Sequence, residues 1–171
     1  MKQVNVYTDG SCNVSKKLGG WGVYFEYTKS NGEVVTSELS GNKEGTTNNL
    51  MELTAVVKAL KACKLDKEGF EFNIHMDSKY VMLSLYNRDE YEAKHFKKVA
   101  NSEPLKWFYN FLDSLGITLE PCTQSKSELT LIKGILPNDN IVNFIKVEGH
   151  STCEGNNKAD ELAVKARKLL G

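Results

Sequence analysis

The chain has no apolar run near the roughly 18 residues that a membrane span requires. Its first residues, MKQVNVYTDG, enter an alternating pattern directly, without the charged and then apolar stretch of a targeting segment. No membrane partner is expected, and the expected location is cytoplasmic. The four cysteines, Cys12, Cys63, Cys122 and Cys153, include no C-x-x-C pair and no zinc-type spacing. Free thiols in a reducing compartment are expected. Net charge is absent too, with 22 basic residues against 22 acidic ones. This excludes a protein held to nucleic acid by bulk charge and leaves room only for a local patch. Arginine is scarce: Arg88 and Arg167 stand alone. Phosphate contacts therefore fall to lysine, a flexible point charge without a bidentate fork. No internal repeat or low-complexity tract is present.

The 171 residues, 40% of them hydrophobic, suit one domain over 1–171 with a sizeable core. Residues 3–9 alternate with period two, placing Val4, Val6 and Thr8 on one face and Asn5, Tyr7 and Asp9 on the other. A glycine-bearing loop is expected over 10–20, and a second strand over 21–28. Ser30-Asn31-Gly32 marks a hairpin turn into a third strand, 33–40. Thr46-Thr47-Asn48-Asn49 offers helix caps for a helix to about Lys64, with Leu50, Leu53, Val56, Val57, Leu60 and Cys63 on its apolar face. Residues 70–77 alternate as a fourth strand, and Ser78 can cap a helix from Lys79 to Tyr86. A further helix is expected from about Leu105 to Leu115, with Trp107, Phe108, Phe111, Leu112 and Leu115 apolar. Residues 141–147 form a fifth strand, and Asn156-Asn157 can cap a last helix to about Leu170. Residues 117–140 carry no readable element. The pattern predicts an α/β fold: a mixed five-stranded sheet, three strands antiparallel and the later ones parallel, flanked by helices.

Four acids hold unusual positions. Asp9 and Asp77 end strands, where ligands gather in open α/β sheets. A single strand-end aspartate is usually only a turn former. Glu52 is expected in the first turn of its helix at the edge of the buried stripe, and Asp160 near the start of the last helix. Each alone is explained by the helix dipole. Together they suggest a metal site, because clustered carboxylates repel unless cations compensate them. Hard oxygen donors favour Mg²⁺ or Mn²⁺ over zinc. Two such ions suit in-line phosphodiester cleavage. Spacing alone does not prove that the four converge.

The segments Tyr7-Thr8-Asp9-Gly10-Ser11-Cys12, Thr46-Thr47-Asn48-Asn49-Leu50-Met51-Glu52-Leu53, Asp77-Ser78-Lys79-Tyr80-Val81, and Gly149-His150 followed by Ala159-Asp160-Glu161-Leu162-Ala163 together resemble type 1 ribonuclease H. The resemblance covers residues 3–86 and 141–170. It implies endonucleolytic hydrolysis of the RNA strand of RNA–DNA hybrids by two metal ions, leaving 5′-phosphate and 3′-hydroxyl ends. The family's metal-binding acids fall on Asp9, Glu52, Asp77 and Asp160, and its loop histidine on His150, which the resemblance implies helps proton transfer or product release, a task that imidazole suits near neutral pH. Hybrid contacts fall on Cys12, Asn48 and Asn49, where amides and backbone can read 2′-hydroxyls across a minor groove. Thr47 is a candidate for a DNA phosphate, and Lys79 joins the candidate substrate contacts. A monomer is expected.

The chain also departs from the family pattern. Residues 13–18 replace a Gly- and Pro-rich loop, Glu26 and Thr28 stand where relatives often carry basic residues, and residues 117–140 look like an insertion. The basic protrusion should fall in residues 87–104, where Lys94, Lys97 and Lys98 are offset by Asp89, Glu90 and Glu92. On a helix those lysines would share a face, with Phe96 turned away. Competing readings are another nuclease or strand-transfer enzyme of the same fold, such as an integrase or junction resolvase, and a non-catalytic hybrid-binding module. The second would be expected to lose at least one of the four acids.

Overall fold

A computed structural model describes residues 1–148 and 153–171. The alternating N-terminal segments pair as β1 (Lys2–Asn13), β2 (Leu18–Thr28) and β3 (Val34–Glu44), each antiparallel to the next. Helix α1 (Asn48–Ala62) leads to β4 (Phe70–Met76), then α2 (Lys79–Tyr86), α3 (Arg88–Ala93) and α4 (Ser102–Ser114). Next come β5 (Thr118–Leu119), β6 (Leu131–Ile135), β7 (Ile141–Lys146) and α5 (Glu154–Lys168). The sheet runs β3-β2-β1-β4-β7-β6-β5. β4 is parallel to both β1 and β7, while β6 is antiparallel to β7 and β5.

The sheet therefore has seven strands among the described residues, not the expected five. The two additional strands come from the unread segment 117–140, which closes a hairpin beside β7. Its turn is held by Asn140, fully buried, whose amide oxygen accepts from the Phe70 N–H at 3.0 Å and whose amide nitrogen donates to the carbonyls of Leu65 and Lys67. A buried amide needs such partners. Here they tie the hairpin to the connection entering β4.

The expected loop over 10–20 is mostly strand as well. Pairing continues from Gly10↔Trp21 to Asn13↔Leu18, so only residues 14–17 turn, with Lys17 in the left-handed region at φ 54°. The glycines there serve close packing rather than a loop. A Cβ on Gly22 would lie 2.5 Å from the Ala159 carbonyl, and one on Gly20 2.2 Å from that of Ala163. Both glycines let α5 lie flat on β2. Val23, next in the strand, points to the other face and joins the buried cluster with Val6, Leu53, Val56, Ile74 and Phe144. Helix α1 thus covers one face of the sheet and α5 the opposite one. Fully burying side chains such as Phe144 or Leu53 contributes about 1.5–3 kcal/mol each.

Three helix details differ from expectation. α1 buries Met51, Ala55 and Ala59 beyond its expected stripe: Met51 lies against Gly10 and Gly19 of the sheet, and the helix also packs against α2 and α4. In α4, Trp107 is 42% exposed and Tyr109 is buried instead, its hydroxyl donating to the Ser84 carbonyl at 2.6 Å. α5 starts at Glu154 with Cys153 at its cap, so Asn156 lies inside the helix and is buried.

Candidate active site

Parallel pairing of β1 and β4 aligns Thr8 with Met76, and the next residue in each segment is an aspartate: Asp77 directly follows β4, while Asp9 lies within β1, which continues to Asn13 instead of ending there as expected. Asp9 and Asp77 are thereby neighbours. Glu52 comes from α1, which crosses β1 so closely that a Cβ on Gly10 would lie 2.6 Å from the Glu52 backbone nitrogen. Only glycine permits that approach. The Gly10 N–H then donates to both Glu52 Oε1 and Asp9 Oδ1 at 2.9 Å, fixing the two carboxylates together.

Each of Asp9, Glu52 and Asp77 offers a carboxylate oxygen within 4.8 Å of the others. Asp9 and Glu52 are 4% and 6% exposed, and Asp77 is half-buried. Asp160, half-buried and about two turns into α5, reaches the same place, close enough to help raise the Asp9 carboxyl. All four border an open depression of ≈ 360 Å³ together with Asn48 and Asn49. Burial above all, then the charges of Glu52 and Asp77, drives the Asp9 carboxyl well above the ordinary carboxylate range. Burial and then the Asp77 charge raise Glu52 too, against the lowering hydrogen bonds from Asp9 and the Gly10 N–H. Among the described residues, no ion pair joins a lysine or arginine to any of the four. The cluster thus has hard oxygen donors and no compensating cation, which suits a divalent metal ion.

The expected first-turn position of Glu52 is corrected by this geometry. Thr47, not an asparagine, caps α1, its hydroxyl accepting from the Leu50 N–H at 3.2 Å. Asn48 and Asn49 fill the first turn, and Glu52 lies beyond it, buried against β1. The two asparagines, exposed and half-buried, keep their amides free of hydrogen bonds among the described residues and beside the carboxylates. The exposed Thr47 hydroxyl accepts in its cap and keeps its O–H for donation. Cys12 lies within β1, its Sγ 3.7 Å from the Thr46 carbonyl, away from the depression. Lys79 is exposed at the first position of α2 and borders the carboxylates. His150 lies outside the described residues.

Lys94, Lys97 and Lys98 do not share a helix face. α3 stops at Ala93, and His95, Phe96, Lys98 and Asn101 take φ values from 52° to 59°. Phe96 turns inward, 6.1 Å from the Tyr109 ring, and this anchor breaks the expected helix. The lysines line a separate groove of ≈ 730 Å³ that shares Asn49 and Tyr80 with the carboxylate depression. Lys94 is also paired with Glu90 at 3.5 Å. Sequence reasoning missed the double donation by Gly10 and the junction at Tyr80. The glycine directly after a strand-end aspartate was the available signal for the first.

A mixed sheet with aspartates side by side on two central parallel strands, joined by carboxylates from a helix on each face, defines a divalent-metal-dependent nuclease of the α/β class. The chain belongs to the ribonuclease H family, whose RNase H model matches residues 1–168. It is 36% identical over 164 residues to "Ribonuclease H" of Acetivibrio thermocellus, covering 95% of this chain and 93% of the relative. It is also 36% identical over 165 residues to that of Francisella philomiragia, covering 95% and 90%. The fold resembles LC9-RNase H1, described as a type 1 RNase H with the type 2 active-site motif, at a TM-score of 0.71 and 24% identity, over 100% of this chain and 74% of that one. It also resembles LC11-RNase H1 in complex with RNA/DNA hybrid, at a TM-score of 0.58 and 20% identity, over 98% and 99%.

Proposed function

We propose that the chain hydrolyses the RNA strand of RNA–DNA hybrids endonucleolytically, using Mg²⁺ or Mn²⁺ held by Asp9, Glu52, Asp77 and Asp160, and leaves 5′-phosphate and 3′-hydroxyl ends. The carrying observation is the set of three carboxylate oxygens within 4.8 Å of one another in an open depression. Family membership and the hybrid-bound LC11-RNase H1 support the substrate.

Two bound ions would supply an activated water and charge stabilisation for the leaving oxygen. The protein's contribution is placement. The Gly10 N–H holds Asp9 and Glu52 in fixed rotamers, and the parallel strands hold Asp77 beside them. Asn48 and Asn49 present donors and acceptors where a minor groove would pass, suited to 2′-hydroxyls. His150 would assist proton transfer from the segment before α5. Lys79, Lys94, Lys97 and Lys98 would meet phosphates along the adjoining groove. Thr47, whose hydroxyl accepts in the cap of α1, would donate its O–H to a DNA phosphate, and Cys12 would contribute through its backbone.

We further read the chain as one domain, with 117–140 inserted, acting as a monomer in the cytoplasm. No helix among the described residues is long and apolar enough to cross a membrane.

The test is a panel of strand-labelled duplexes with Mg²⁺ or Mn²⁺. The RNA of the hybrid should be cut, while double-stranded RNA and DNA stay intact. Equal cutting of double-stranded RNA would overturn the substrate assignment. Cutting of plain DNA would favour the strand-transfer or resolvase reading.

A further inference from the structure

One layer beneath the carboxylates, three elements meet at a single aromatic ring. Tyr7 lies two residues before Asp9 in β1, and His75 two residues before Asp77, so each shares a strand face with the acid that follows it. Tyr7 and His75 are register partners, and their rings stack at 4.5 Å with an interplanar angle of 14°. His75 Nε2 is held 3.2 Å from Asn5 Oδ1, which limits rotation of the imidazole. The third element is α5. A Cβ on the buried Gly155 would lie 2.4, 2.5 and 2.5 Å from Cε2, Cδ2 and Cζ of Tyr7. Near-equal distances to three adjacent ring atoms mean that the helix backbone meets the face of the ring, not its edge.

This contact sits at the N-terminal end of α5, and Asp160 follows five residues later, about 7.5 Å along the axis. Farther on, Ala159 and Ala163 rest on Gly22 and Gly20 with no side chain between. The helix therefore leans on an aromatic ring at one end and rests on bare backbone beyond it. Stacking on His75 of the neighbouring strand stands the ring upright, so its thickness sets how far α5 lies from β4 across the sheet, and with it the reach of Asp160.

We propose that Tyr7, clamped by His75 and Gly155, is a positioning residue that sets the distance of Asp160 from Asp9 and Asp77 and so tunes metal affinity. This rests on the reading of the four acids as metal ligands. The ring touches no substrate, and its effect passes through the helix.

The experiment is Mn²⁺ binding to the full chain, followed by paramagnetic resonance of the free ion without substrate. Metal dependence of hybrid cleavage, KM at saturating metal, and thermal melting are read in parallel. The variants are Gly155→Ala, Tyr7→Leu, the two combined, and Tyr7→Phe. Gly155→Ala adds a methyl group where the clamped ring leaves no room, and Tyr7→Leu removes the ring. Each should weaken Mn²⁺ binding by roughly 10-fold, the scale on which groups that orient metal ligands act, with KM nearly unchanged. Tyr7→Phe keeps the ring and should keep parental affinity. The double variant should bind Mn²⁺ better than Gly155→Ala alone, because removing the ring makes room for the methyl group. A purely structural role would instead lower the melting temperature while leaving Mn²⁺ affinity parental in the folded variants. Parental Mn²⁺ affinity in both folded single variants would overturn the proposal, as would additive losses in the double variant. Should one single variant fail to fold, the other and Tyr7→Phe decide. A parent chain that binds Mn²⁺ yet leaves the hybrid uncut would refute the ribonuclease reading while leaving this one to the binding data.

Discussion

At the scale of single residues, the site is a concentration of uncompensated negative charge. Asp9→Asn removes one charge and one donor while keeping the shape. Activity should fall by more than the roughly 10–100-fold that the loss of a group supporting a metal ligand costs. Metal-free stability should hold or rise, since carboxylate repulsion is relieved. Initial rates and melting in chelator check both halves. The raised pKa values of Asp9 and Glu52 give a second prediction. Both are raised above the unfolded value of about 4, so the folded state binds more protons than the unfolded one above that pH. Their contribution to stability is full below the unfolded pKa and is lost as pH rises through the folded values. The melting temperature of the metal-free parent should therefore fall between about pH 5 and pH 9. Asp9→Asn should flatten that fall, and saturating Mg²⁺ should remove it. A parent that gains stability over this range in chelator would contradict the electrostatic description. The four acids were expected at strand ends and helix starts, and the motif resemblance united them; only Asp77 holds such a place, since Asp9 lies within β1, Glu52 beyond the first turn of α1 and Asp160 about two turns into α5. The fixing bond from Gly10 was not legible, because it depends on how closely α1 crosses β1.

At the scale of elements, periodicity located β1, β2, β4, β7 and most helices, because each has one face in the core, whereas β3, exposed along nearly its whole length, was located by the Ser30-Asn31-Gly32 turn before it. Two segments escaped it for different reasons. Residues 117–140 form short strands, with only Thr118–Leu119 in β5, and their decisive contact is the Asn140 amide, which reaches back to Leu65, Lys67 and Phe70. No local pattern encodes such a contact. Asn140→Ala leaves these buried backbone groups unpaired and should destabilise the protein by about 2–3 kcal/mol. Urea denaturation measures this, and hybrid cleavage well below the melting point should stay near parental. An unchanged denaturation midpoint would show that the hairpin is not held this way. Residues 94–101 misled for the opposite reason. The lysine spacing suits a helix, but the inward Phe96 and left-handed backbone at His95, Phe96, Lys98 and Asn101 prevent one. The lysines still line a groove that meets the site at Asn49 and Tyr80. Replacing Lys94, Lys97 and Lys98 with Ala should weaken hybrid binding and lower the salt slope by roughly 0.9 for each phosphate that is no longer neutralised. An unaltered slope would move the binding handle elsewhere.

At the scale of the whole molecule, balanced charge and the depression that holds the four acids set the terms. With 22 basic and 22 acidic residues, no global field draws the chain to nucleic acid. Affinity must come from the local groove, the two asparagines and the metal ions between acids and phosphate. Hybrid binding by the parent should accordingly depend on divalent metal more than on ionic strength. The central claim is that the four acids act as one metal centre that cuts RNA within a hybrid, and the direct measurement uses one duplex and two proteins. An RNA–DNA hybrid labelled on each strand is incubated with Mg²⁺ or Mn²⁺ and either the parent or Asp77→Asn, with folding of both verified by circular dichroism. The account predicts internal RNA products ending in 3′-hydroxyl and 5′-phosphate from the parent, an intact DNA strand, and almost no product from Asp77→Asn. Full activity in a folded Asp77→Asn variant, or cleavage by the parent in excess chelator, would contradict it.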